Sequence, residues 1–247
     1  MNTELLPVIG IVALLAVVQS VFGMGILVFG TPTLLLMGYP FAETLQLLLP
    51  ASASISLLQV LRAGGRPPKI SKKLYVLCLP AVGLGLLAAT RLADPVLLVA
   101  LIGLTLTATA LLRSSARLGA ALTRFVQSND SLFQVLMGGV HGLTNLGGAL
   151  LSVYAVSISE NKHSIRFVVA YFYFSFSVVQ MATLALQGLY ETLLSGLIVA
   201  VPAAVIFITI GQRVFLAASH PVYVKAFTIF SGIYGLLLLW RTLPQLI

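Results

Sequence analysis

Residues 140–148 read Val-His-Gly-Leu-Thr-Asn-Leu-Gly-Gly, and they interrupt an otherwise apolar run from Leu132 to Ile158. The run has the length of a membrane helix, yet its centre holds glycines, a histidine and an asparagine. Glycine in a helix interior costs about 1 kcal/mol relative to alanine, so a straight span is a poor reading. A tight reversal at membrane depth accounts for both features. Glycine supplies the backbone freedom there, while Thr144 and Asn145 satisfy the freed backbone groups or face a wet cavity.

The rest of the chain makes a membrane setting compulsory. Its 247 residues are 59% hydrophobic and 8% charged, against about 25% charged in a soluble domain. So few charges cannot cover a globular surface, and lipid must be the solvent. The excess of +8 sits in short clusters between apolar segments, as topology signals do, and is not a nucleic-acid footprint. Cys78 is the single cysteine. It excludes a disulfide within the chain, shows no metal-ligand spacing and reads as a small apolar filler. No cofactor motif is present. The first ten residues contain Glu4 and no Lys or Arg, and so lack the basic region of a cleaved signal peptide.

Apolar segments run roughly 5–37, 44–61, 74–90, 96–112, 132–158, 167–186, 192–210 and 222–240. The segment 113–130 reads as a cytoplasmic connecting loop between a first membrane repeat, 1–112, and a second, 131–247. A shift of 122 residues places Val18-Gln19-Ser20 on Val140-His141-Gly142, Gly25 on Gly147, Leu79-Pro80-Ala81 on Val201-Pro202-Ala203, and Arg91 on Arg213. One gapless offset over some 70 residues reads as an internal duplication.

Charge decides the orientation of the repeats. If all eight segments cross, with 62–73 in the cytoplasm, nine Lys/Arg lie inside and five outside. If 5–37 and 132–158 instead return to the side they entered, only Arg91 and Arg241 stay outside, against twelve inside. The positive-inside rule prefers the second arrangement. The expected fold is therefore an all-α polytopic membrane protein of two inverted repeats. Each repeat is a glycine-broken re-entrant hairpin plus three transmembrane helices, with both termini non-cytoplasmic.

Each break starts a half-helix, at about Gly25 and Gly147, whose free N–H groups and positive dipole end offer an anion site without a buried Lys or Arg. Candidate substrate-binding residues are Gln19, Ser20, Gly23, Met24 and Gly25 at the first break, and Thr144, Asn145, Gly147 and Gly148 at the second. A side chain at Gly25 or Gly147 would fill the place where backbone meets ligand. The alternative for the glycines is close helix packing. Ser52, Ser56 and Gln59 lie at i, i+4 and i+7 on one helix face. Tyr173, Ser177 and Gln180 do the same in the partner segment. These uncharged donors either bind oxyanion oxygens or hydrogen-bond between helices. His141 is the one ionisable side chain deep in an apolar segment; the acids, including Glu160, sit at segment ends. It is a candidate for proton coupling, with neutral packing as the alternative.

The openings of the two halves, VVQSVFGMGILVFGTPTLLLMG (17–38) and GGVHGLTNLGGALLSVYAVS (138–157), resemble the TauE/SafE family of sulfite and organosulfonate permeases. So does the order of a glycine break, Pro32, a serine-rich second segment and a basic loop. Met24 and Asn145 depart from the commoner triple-glycine form. The resemblance implies movement of small organic or inorganic anions, sulfite and sulfonates among them, coupled to a proton or sodium gradient. It also implies alternating access at a midplane site in the bacterial cytoplasmic membrane. An intramembrane enzyme is the first competitor. His141-x-x-x-Asn145 is similar to a rhomboid-protease spacing, but there is no Gly-x-Ser-x-Gly, no His-Glu-x-x-His and no paired intramembrane aspartate. A channel or scaffold is the second, with no ring-forming acidic cluster to support it.

Overall fold

The computed structural model describes residues 5–63, 68–159, 161–217 and 220–246, with side chains at 220–227 and 246 left out. Of the charges read above, Glu4, Arg66, Glu160 and the side chain of Lys225 lie outside the described residues. Every described element is helical. In order they are α1 (Leu5–Phe22), α2 (Ile26–Leu36), α3 (Phe41–Leu61), α4 (Leu79–Arg91), α5 (Pro95–Ser114), α6 (Ala116–Ser128), α7 (Asp130–Thr144), α8 (Gly148–Ile158), α9 (Lys162–Leu186), α10 (Leu193–Ile206), α11 (Gln212–Ala217) and α12 (His220–Leu246). A π-helical turn, Leu74–Cys78, leads into α4, and a second, Phe207–Gly211, joins α10 to α11.

Among the described residues six helices are long and apolar enough to cross a membrane: Leu5–Phe22, Phe41–Leu61, Leu74–Arg91, Pro95–Ser114, Lys162–Leu186 and Leu193–Ala217. Their outward faces are greasy. Leu14, Leu84, Leu186 and Leu194 are each more than 60% exposed, which a water-facing surface of this extent does not tolerate. The chain is a multi-pass helical membrane protein.

Two expectations need adjustment. The segment 113–130 is not a loop: Ser115 Oγ accepts the Leu118 N–H and opens α6. Leu122, Phe125 and Val126 then give α6 an inward stripe, with Val126 buried. The re-entrant reading of 5–37 also meets a first limb longer than the other three. At 1.5 Å per residue, the 18 residues of α1 span about 27 Å, close to the roughly 30 Å hydrocarbon core. By contrast α7 has 15 residues and α2 and α8 have 11 each.

Chain contacts divide the protein into two compact units, Met1–Leu74 with Ser159–Ala218, and Tyr75–Ile158 with Ser219–Ile247. In the first, α3 is the central helix, packed by α1, α2, α9 and α10. In the second, α5 packs along α12, and α4 packs along α7. Each unit takes helices from both halves of the sequence.

The α4–α7 contact explains part of the glycine run. A Cβ on Gly138 would strike the Cys78 carbonyl oxygen, and one on Gly142 the Val82 carbonyl oxygen. From the other side, a Cβ on Gly85 would lie 2.8 Å from the Gly139 oxygen. Glycines four apart let two backbones touch, the small-xxx-small device of membrane helices. Gly139 points into open space.

Candidate functional site

Both hairpins break at the same place in their halves. Gly23 has φ 77° and Asn145 has φ 61°, and these residues are 122 positions apart. Left-handed backbone is easy for glycine and tolerable for asparagine, so each reverses the chain by itself. At the same offset α2 (Ile26–Leu36) matches α8 (Gly148–Ile158) end for end. In each case the second limb returns beside the first. A Cβ on Gly30 would sit 3.4 Å from Leu15 Cδ1, and the Phe133 ring stacks on Tyr154 with centroids 6.4 Å apart.

Ending a helix inside a packed interior leaves carbonyls without amide partners, and beginning another leaves amides without carbonyls. At the first break side chains settle both. The Gln59 carboxamide donates from Nε2 to the carbonyls of Gln19 (2.8 Å) and Ser20 (3.0 Å). Gly23 N–H donates to Gln19 O (2.8 Å). Gln19 works at the other terminus: its Oε1 accepts the Ile26 N–H at 3.1 Å, at the start of α2. Its Nε2 reaches α3, donating to Ser52 O (2.9 Å) and to the hydroxyls of Ser52 and Ser56 (3.1 Å each). Ser20 Oγ turns back to Ala16 O at 2.6 Å. Gln19, Ser20, Ser52, Ser56 and Gln59 thus form one buried network in the first unit, with Met24 buried beside it.

The second break uses the equivalent position. His141, which aligns with Gln19, accepts the Gly147 N–H on Nδ1 at 3.3 Å, at the entry to α8. A ring nitrogen that accepts carries no proton, so this bond requires an unprotonated Nδ1. Asn145 N–H donates to His141 O (2.7 Å). Thr144 Oγ1 donates to Val140 O (2.7 Å) and accepts the Leu146 N–H (3.2 Å). Gly148 opens α8 and is buried.

The tip glycines face their own hairpins. A Cβ at Gly25 would come within 2.8 Å of Gln19 N, and one at Gly147 within 2.6 Å of His141 Cβ. The space expected to receive a ligand at these two Cβ positions is filled by the chain itself. On α9, Tyr173, Ser177 and Gln180 are fully buried within the first unit, where α9 packs against α3. Ser177 Oγ and Gln59 Oε1 are buried without a hydrogen bond among the described residues, so each keeps polar capacity in the interior.

One residue of this region escaped the sequence reading. Arg166, counted above only among the twelve Lys/Arg of the cytoplasmic side, lies in the second turn of α9 and is 5% exposed. Its Nη1 donates to Ser20 O (3.3 Å) and its Nη2 to Gln212 Oε1 (2.9 Å). Its Cζ rests 3.5 Å from the centre of the Phe215 ring. A Cβ on Gly23 would touch the Arg166 carbonyl oxygen at 3.2 Å, so the first break closes directly on the start of α9. The available signal was its position, immediately before the apolar stretch that begins at Phe167. Comparison with protein-family models, with curated proteins and with solved structures gives no match to this chain.

Proposed function

We propose that the chain is a secondary transporter of small anions, of the sulfite and organosulfonate permease type that its two helix breaks resemble. The observation that carries this reading is the repetition of one device. Two hairpins 122 residues apart share a left-handed turn residue, a second limb of identical bounds, and a side chain at the same position bonding the amide that opens it. Discontinuous helices recurring in the two halves of a membrane chain are the best pointer to a transporter binding site. The paired inverted repeats, the non-cytoplasmic termini, the bacterial cytoplasmic membrane and the coupling to a proton or sodium gradient belong to the same proposal.

Substrate would meet the polar interior of the first unit, beneath the first break. Ser177 Oγ and Gln59 Oε1 hold no hydrogen bond there, and Ser52 and Ser56 hydroxyls can turn from Gln19 toward an oxyanion. His141 is the proposed proton carrier. Protonation at Nδ1 would remove the acceptor that Gly147 N–H uses, so a proton and the closed hairpin exclude each other.

The test is uptake of radiolabelled sulfite, sulfoacetate, isethionate and taurine into vesicles holding the purified protein, with imposed proton or sodium gradients. Saturable accumulation of one of them, driven by a gradient, is expected. In His141→Gln, accumulation should lose its pH dependence while substrate binding persists. Non-saturating flux would indicate a channel, and no flux with any of the four would remove the sulfur-anion reading.

A further inference from the structure

A second feature stands apart from the breaks. The first two turns of α9 carry Lys162, His163 and Arg166, and all three converge on one aromatic ring. Arg166 Cζ is 3.5 Å and Lys162 Nζ 5.1 Å from the Phe215 centroid, and the His163 ring meets Phe215 edge-on at 5.1 Å. Three basic groups at the start of a 25-residue helix oppose its dipole, which favours anions at that end. Among the described residues no carboxylate pairs with Arg166. Its acceptors, Ser20 O and Gln212 Oε1, are neutral, and its remaining N–H groups have no partner among the described residues. Burying a guanidinium without a counter-charge is expensive by several kcal/mol, and a planar fork with one face on an aromatic ring leaves an edge for two oxygens.

We propose that Lys162, His163 and Arg166, gathered on Phe215, bind a small oxyanion such as sulfate, a sulfonate or a phosphate group. Arg166 supplies the buried fork, and the exposed Lys162 and His163 close over it. The α9 backbone contributes its positive end, with Asn161 Oδ1 already taking the His163 N–H at 2.8 Å. The site does not depend on the transport reading, because it is tested as binding to the isolated protein.

The experiment is a thermal-stability titration of the full chain in zwitterionic detergent, with sodium sulfate compared against sodium chloride at equal ionic strength. Sulfate should raise Tm in a saturable way that chloride does not reproduce. Lys162→Gln/His163→Gln should weaken apparent sulfate affinity by about tenfold, the size of one lost charge-assisted bond, and Arg166→Gln should abolish the shift. Lys162 and His163 are exposed, so the double variant carries the test even if Arg166→Gln fails to fold. A wild-type protein without a sulfate-specific shift overturns the proposal, as does a shift that the double variant leaves unchanged. Glu160→Gln probes the carboxylate that lies two residues before Lys162 in the sequence: a shift in that variant and none in wild type would make Glu160 the counter-charge and overturn the proposal too. Phosphatidylglycerol, added to delipidated protein against phosphatidylcholine, separates the sources. Competition with sulfate identifies a lipid headgroup as the oxyanion, and unchanged sulfate affinity identifies a free one.

Discussion

Gln19→Leu removes the side chain on which the first break depends while keeping similar bulk. Not every lost bond counts equally. The Ser52 and Ser56 hydroxyls can fall back on their own helix, as Ser54 Oγ does with Pro50 O at 2.8 Å. The Ile26 N–H opens α2 and has no earlier carbonyl in its own helix to use. Leaving that buried donor unpaired costs about 1–3 kcal/mol, and each interhelical side-chain bond lost adds about 0.6 kcal/mol. The sum is roughly 2–4 kcal/mol. At about 2–4 °C per kcal/mol for a domain of this size, Tm should fall by roughly 5–15 °C. Thermal unfolding of the protein in detergent, followed by intrinsic fluorescence or circular dichroism, reads this directly. Gln19→His should recover part of the loss, since a neutral imidazole accepts an N–H at the equivalent second break. Gln19→Leu and Ser56→Ala share a bond, so their double variant should be less than additive by about 0.5 kcal/mol or more. Wild-type Tm in Gln19→Leu, or strict additivity with Ser56→Ala, would refute the network as drawn.

The neighbouring glycines should separate cleanly: Gly138→Ala and Gly142→Ala force α4 and α7 apart and lower stability by about 1–3 kcal/mol, whereas Gly139→Ala is neutral or stabilising by up to about 1 kcal/mol. Equal Tm values for the three would remove the close-packing account. At the second break His141→Leu should lose about 1 kcal/mol, the worth of a helix cap, and His141→Gln should lose less, which the same unfolding assay checks. For the proposed inverted repeats, cysteines at Ser71 and Glu191 in a Cys78→Ala background should label from opposite sides of the membrane with an impermeant maleimide. Labelling from one side returns the chain to eight crossing segments.

Hydrophobic runs and their punctuation were enough to read the helices and both breaks, because Gly23, Gly25, Asn145 and Gly147 punctuate segments too apolar to be anything else. The residue types beside the breaks were legible too, but their partners were not. Gln19 was read as a substrate-binding candidate and His141 as a proton-coupling one, and only coordinates show each bonded to an amide seven or six residues ahead. Glycine spacing cannot distinguish a contact with another helix, as at Gly142, from a contact within one hairpin, as at Gly147, since both need only the absence of a side chain. Arg166 was passed over as a site residue because charge near a segment end resembles a topology signal until burial is known. The helicity of α6 was missed: Leu118, Leu122, Phe125 and Val126 are spaced to line one side, but the surrounding arginines and serines read as a loop.

The central position of α3 has a consequence for synthesis. Its main partners, α9 and α10, belong to the other end of the chain, and α9 is completed about 125 residues after α3. At roughly 5–20 residues per second, a newly inserted α3 waits about 6–25 s with Ser52, Ser56 and Gln59 unsheltered by its later neighbours. Of its packing partners, only α1 and α2 have been made by then. The bonds from Gln19 to the two serines, and from Gln59 back to α1, join segments already made. They are the means by which a polar helix face can be held in the bilayer until the remainder of the polypeptide emerges from the ribosome.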